Sequence, residues 1–211
     1  MPFAQFQGQP VYYAEHIRGS ATRPPLILIH GAGGTHLHWP PELRRLPEVA
    51  VYALDLPGHG KSGGAASATI AEKAEAVIGV LDDARRKRAV MGGHSLGGAV
   101  ALTLALTRPD RVAGLVLVGS GAKLRVTSEI LNGVLTDFPK AVDTVIQYAF
   151  SSSAPENLTQ LAKQRMLEMD PKVVHGDFAA CNAFDVRERL GEIAVPTLVL
   201  CGTEDKMTPE K

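Results

Sequence analysis

Only two cysteines occur among the 211 residues, Cys181 and Cys201, with no Cys-x-x-Cys pattern. That scarcity excludes a disulfide framework and a cysteine zinc site, and suits reduced, partly buried thiols. Net charge is missing as well, because 22 basic side chains balance 22 acidic ones. A chain without a field of one sign has no general attraction for phosphate backbones or anionic lipid, so neither nucleic acid nor membrane is expected as a partner. No apolar run approaches the roughly 18 residues of a membrane span, and the first 13 residues lack the basic-then-apolar order of a secretory leader. A cytoplasmic protein is the expectation. What is present is 45% apolar residues in a chain long enough to bury about 70% of its unfolded surface, which supports one sizeable core.

Residues 25–29, 49–54, 89–92, 112–118 and 196–201 are short, nearly all-apolar runs bounded by Gly, Pro or charge. They read as strands buried on both faces. Residues 67–88 carry Ile70, Ala74, Val77, Ile78 and Leu81 on one helical stripe, with Thr69 and Glu72 spaced as a capping box. The basic run Arg85-Arg86-Lys87-Arg88 is read as a complement to that helix's dipole. Residues 96–107 are apolar all round and stop before Pro109, as an enclosed helix would. Strand–helix alternation of this kind predicts an α/β fold, a mostly parallel sheet covered by helices on both faces. Residues 3–17, broken at Gly8, add an antiparallel hairpin at one edge. From 123 to 190 the spacing becomes helical, through Phe138, Val142, Val145, Ile146 and Ala149, then Leu158, Leu161, Arg165, Met166 and Met169. The expected organisation is a core in two parts, 1–122 and 191–211, with a helical cap inserted at 123–190.

Gly93-His94-Ser95-Leu96-Gly97-Gly98 follows a buried strand and opens a buried helix. In that context Gly-x-Ser-x-Gly is a turn so tight that only small residues fit two places either side of the serine, whose hydroxyl then projects at the positive end of the helix. Ser95 is the candidate nucleophile, against the plainer reading of a serine that only caps the helix. At the end of the first parallel strand, His30-Gly31-Ala32-Gly33-Gly34 can turn amides toward the same point. The N–H groups of Ala32 and Leu96 would together form an oxyanion hole, worth about 3–4 kcal/mol per donor. A phosphate cradle is the rival, weakened by the absence of Gly-x-Gly-x-x-Gly and Gly-Lys-Ser/Thr.

These motifs, with Asp55-Leu56-Pro57-Gly58-His59-Gly60-Lys61-Ser62 between them, stand in the order found in the α/β-hydrolase superfamily, which the chain resembles over about 25–121 and again over 184–209. The resemblance implies a serine hydrolase, carboxylesterase-like and with a helical cap. It would cleave a small, largely apolar ester through an acyl-enzyme, with no cofactor and no metal. Asp205, after the strand at 196–201, matches the acid that orients the family's histidine, and Glu204 falls one place too early. Gly33, His94 and His36 are candidate linings of the substrate pocket. Serine at the elbow argues against the dehalogenase and epoxide hydrolase branches, whereas lactonase, carbon–carbon hydrolase and perhydrolase chemistry stay open.

In that family the catalytic histidine follows the acid after a further helix and strand, and only six residues follow Asp205 here. None of the seven histidines is an obvious substitute, although His175 in the cap is the least remote. The expectation is therefore a truncated chain with little or no turnover. Its strand at 196–201 would form an apolar sheet edge, to be covered by a partner chain or swapped segment. The alternative from another class is a non-catalytic member of the fold that binds a small ligand or a protein partner.

Overall fold

The computed structural model describes residues 2–17 and 23–209. Seven strands make one sheet in the order β1-β2-β4-β3-β5-β6-β7. Their ranges are β1 Phe3–Phe6, β2 Gln9–His16, β3 Leu26–Ile29, β4 Val51–Leu54, β5 Ala89–His94, β6 Val112–Val118 and β7 Thr197–Leu200. The hairpin β1–β2 turns through Gln7 and Gly8, both at positive φ (50° and 77°), as a two-residue connection that matches strand twist requires. β2 runs antiparallel to both β1 and β4, and the pairings among β3, β4, β5, β6 and β7 are parallel.

Alternation along the strands sends Ile27, Ile29, Tyr52, Leu54 and Met91 to one face, packed with helices α2 (Ile70–Asp83) and α3 (Leu96–Thr107). Leu28, Val51 and Ala53 go to the other face, with Trp39 beside the short helix α1 (Pro41–Arg44). α3 lies against β5, β6 and α2, so nine of its twelve residues are buried. This is why its apolar pattern has no polar stripe.

α2 starts where its capping box predicts: the Glu72 amide donates to Thr69 Oγ1 at 3.1 Å and the Thr69 amide to Glu72 Oε2 at 3.2 Å. Its end differs from the sequence reading. Arg85 is left-handed (φ 53°), and the amides of Arg85 and Arg86 close back on the carbonyls of Asp82 and Leu81. These are the two reversed bonds of a Schellman stop, so the helix ends at Asp83 and the basic run follows just beyond its C-terminus. Arg86 donates to the Tyr52 hydroxyl at 2.7 Å and lies over that ring.

Between β6 and β7 come four helices, α4 (Ser128–Thr136), α5 (Phe138–Ala149), α6 (Glu156–Leu167) and α7 (Pro171–Ala183). The stripe through Val142 and Val145 buries α5, whereas Leu158 and Leu161 of α6 stay exposed. α7 serves two clusters. Val174 and Phe178 pack with Ile130, Val134 and Val145, while Ala180, Cys181 and then Phe184 join the core beneath the sheet. Cys181 is buried but Cys201 is exposed, because it follows an outer strand. β7 forms that edge, with Leu198 at 53% and Val199 at 58% exposure. Among the described residues no helix is long and apolar enough to cross a membrane.

Candidate active site

β3, β5, β6 and β7 are parallel neighbours, so the loops that leave their C-terminal ends gather along one rim. Such a rim is where open α/β sheets place their ligands. At its centre β5 passes into α3 through Ser95, whose φ of 50° and ψ of −115° lie outside the conformations L-residues favour. Holding a non-glycine residue there costs about 1–3 kcal/mol, which surrounding packing must offset. That packing explains the glycines. A β-carbon on Gly93 would overlap the Gly97 carbonyl, one on Gly97 would overlap the Ile29 carbonyl, and one on Gly98 would overlap the Ser120 hydroxyl. The Ser95 amide donates to the Val118 carbonyl at 3.0 Å, and the Ser95 carbonyl accepts from the Gly98 amide and the Ser120 hydroxyl, each at 2.8 Å. The half-buried Ser95 hydroxyl and the Leu96 amide have no hydrogen-bond partner among the described residues.

The loop after β3 crosses directly over this bend, since Gly97 packs on the carbonyls of Ile29 and His30, and Gly31 on the His94 ring. Gly34 donates to the Gly31 carbonyl at 3.0 Å, closing a β-turn. Gly33, at the third position, has φ 63°, and Ala32 is not among the positive-φ residues. These are the marks of a type II turn. The Ala32 amide is unpartnered among the described residues, whereas that of Gly33 donates to Asp177 Oδ2 at 2.9 Å. Of the two, only Ala32 remains available as a donor.

Beneath the loop two histidines are fixed by complementary roles. His30 Nε2 accepts from the Leu56 amide at 3.0 Å, so its Nδ1 carries the proton that is donated to the Gly31 carbonyl. Burial and the neighbouring His59 push the His30 ring down to about 3. His59 places Nδ1 at the Pro57 carbonyl (3.0 Å) and Nε2 at Asp177 Oδ2 (2.8 Å). Asp177 Oδ1 takes Lys73 Nζ at 2.7 Å, and all three side chains are fully buried. Burial alone would raise the Asp177 carboxyl, but His59 and Lys73 prevail and hold it well below the usual range.

Asp205 follows β7. Its Oδ1 accepts the amides of Met207 and Thr208, and its Oδ2 accepts the Thr208 hydroxyl at 2.8 Å. Asp205 and the His94 ring both border Gly119, at the end of β6. His94 presents a solvent-facing edge, yet crowding desolvates its ring and lowers its pKa, with Asp205 opposing the shift. His36 is buried and turned to Asp55, whose Oδ1 accepts both its amide and its Nδ1. Burial works to raise Asp55, but these bonds and the Lys61 amide hold it below the ordinary range. His36 also borders a cleft of about 370 Å³ with Lys61, Arg165 and Asp170. Asp205 borders another of about 280 Å³, with Ala149, Ser151 and Glu204. Gly33 faces inward, toward Val174 and Met166.

Ser95, Leu96 and His94 thus share one bend, the loop carrying Ala32 and Gly33 crosses it through Gly31, Asp205 and His94 both border Gly119, and His36 stands to one side with Asp55. Sequence reasoning passed over Lys73 and Asp177. Both sit on apolar stripes, Lys73 three places after Ile70 and Asp177 between Val174 and Phe178. A charge at a core position of a helix is the signal that could have found them, since such a charge demands a buried partner.

The alpha/beta hydrolase family matches residues 26–211. A pimeloyl-[acyl-carrier protein] methyl ester esterase from Pectobacterium carotovorum is 30% identical over 203 residues, covering 88% of this chain and 78% of its own length. A 3-oxoadipate enol-lactonase from Acinetobacter baylyi is 28% identical, with 91% and 75% covered. The solved structure of a thermophilic esterase superposes with a TM-score of 0.82 at 34% identity, covering 99% of this chain and 79% of that one. With the family matched over residues 26–211 and the fold of the esterase shared over 99% of the chain, the chain belongs to the alpha/beta hydrolase family and is a hydrolase.

Proposed function

We propose that the chain is a carboxylesterase-like serine hydrolase in which Ser95 is the nucleophile and the amides of Ala32 and Leu96 form the oxyanion hole. The observation that carries this reading is a strained serine whose hydroxyl is unengaged, on the same rim as two unpartnered amides. Ser95 Oγ attacks the ester carbonyl, and the carbonyl oxygen takes the negative charge against the two N–H groups. Collapse expels the alcohol and leaves an acyl-serine that water then cleaves. Asp205, across Gly119 from His94, is suited to orient an imidazole. The names of the ester- and enol-lactone-cleaving relatives support acyl–oxygen cleavage.

The acyl group is small and largely apolar. Ala32 packs against the cluster of Ile130, Val134, Val145, Val174 and Phe178, and Met166 and Met169 adapt its wall, so helices α4 to α7 act as a cap over the bend. None of the seven histidines is hydrogen-bonded to Ser95 or Asp205 among the described residues. Without a fixed base the Ser95 proton goes to solvent, and turnover by these 211 residues is slow. Imidazole added as an external base raises it. The test is p-nitrophenyl acetate and butyrate hydrolysis with and without imidazole. The rate rises with imidazole and falls to background in Ser95→Ala. A Ser95→Ala rate equal to the parent's would overturn the reading.

A further inference from the structure

We propose that Asp177, held by Lys73 and His59, is a positioning residue that sets the orientation of the oxyanion loop. The inference rests on the oxyanion role of Ala32 just given.

Three observations lead to it. First, the turn Gly31–Ala32–Gly33–Gly34 is type II, and type II differs from type I by a flip of its central peptide, here the one joining Ala32 to Gly33. Second, the N–H of that peptide meets the Asp177 carboxylate at 2.9 Å, across 144 residues of sequence. In the flipped state the Ala32 carbonyl oxygen would swing toward the carboxylate, and two negative ends would face each other without water between them. The carboxylate thus attracts one flip state and repels the other. Third, Asp177 is itself fixed on three sides, by Lys73 of α2, His59 of the loop after β4 and the Gly33 amide, all in a region with no solvent contact.

A buried charge cluster adds little net stability compared with apolar side chains of similar volume, so stability alone does not account for it. Conformational choice does. With the Ala32–Gly33 peptide fixed, the Gly33 amide is withdrawn into the core and Ala32 presents its own amide on the rim. The anchor sits on α7, whose Val174 and Phe178 face the apolar cluster, so the wall of the acyl pocket and the oxyanion loop are held by one helix.

The test uses the whole 211-residue chain with imidazole present. It reads the second-order rate of Ser95 modification by a fluorophosphonate, KM and kcat for p-nitrophenyl butyrate, and exchange of the Gly33 amide hydrogen by NMR. In Asp177→Leu/Lys73→Met the Asp177–Lys73 ion pair is replaced by apolar volume. The modification rate and kcat fall about tenfold or more, KM stays within about twofold, and the Gly33 amide loses protection. Lys73→Met alone leaves Asp177 in place for the Gly33 amide and lowers the modification rate by less than the double variant does, whatever its Tm. A folded double variant modified at the parental rate overturns the positioning role, as does a loss in Lys73→Met as large as that in the double variant. Should the double variant fail to fold, Asp177→Asn is read instead; it keeps the shape without the repelling charge, and an undiminished rate there is equally fatal. A parent chain that is not modified at Ser95 defeats the serine-hydrolase reading itself, and the positioning role with it.

Discussion

The Ser120 hydroxyl donates a 2.8 Å hydrogen bond to the carbonyl oxygen of Ser95 and occupies the space that a β-carbon on Gly98 would need. Gly98→Ala therefore displaces Ser120 and breaks that bond, a loss of about 1–3 kcal/mol despite the better helix propensity of alanine. Ser120→Gly vacates the space but also removes that bond, so it costs less on the Gly98→Ala background than it does alone. Urea unfolding of both single variants and the double variant measures the coupling, and simple additivity would contradict the packing described.

Ala32 occupies the second position of its type II turn, where proline is favoured, and its amide has no partner among the described residues. Ala32→Pro thus removes the proposed oxyanion donor while leaving the turn intact. Stability changes by less than about 1 kcal/mol, and the rate of Ser95 acylation falls by roughly 100-fold or more. Parallel losses of stability and rate would point to a damaged fold instead.

Asp55 accepts from the amide and ring of His36 and from the Lys61 amide, and is fully buried. Asp55→Ala strands these donors and costs about 3–5 kcal/mol, measured by urea unfolding at neutral pH. The Asp55 carboxyl lies below its ordinary range in the fold. Its contribution is present above the unfolded carboxylate pKa and is lost as acid titrates it.

His30 gives a different pH window. Its ring stays neutral in the fold down to about 3, while in the unfolded chain it takes a proton near the ordinary value of 6.5. Between these two values the unfolded state binds more protons, so stability falls as pH drops from about 6.5 toward 3, by a few kcal/mol in all. His30→Gln is less stable at neutral pH and loses less on acidification over the same interval. An unchanged slope would mean that another group carries the pH dependence.

The sheet was legible because each parallel strand is a short apolar run closed by glycine, proline or charge, and α2 because Thr69 and Glu72 mark its start. Where α2 ends was not, since its Schellman stop places an arginine, and not a glycine, at the left-handed position. The bend at Ser95 could be read from Gly93 and Gly97, whose spacing has a steric cause visible in sequence. The anchor at Asp177 could not be paired with Gly33 in that way, because 144 residues separate them and no local periodicity reports such a contact. Of the four helices between β6 and β7, α5 showed its buried stripe, whereas α7 alternates between two clusters and so lacks a single clean face.

The most direct measurement is peptide mapping of the 211-residue chain after reaction with a fluorophosphonate in the presence of imidazole. One adduct on Ser95, absent in Ser95→Ala and formed at least about tenfold more slowly in Ala32→Pro, is the predicted result. An adduct on another residue, or none on a chain shown to be folded, would contradict the assignment of Ser95 as the nucleophile.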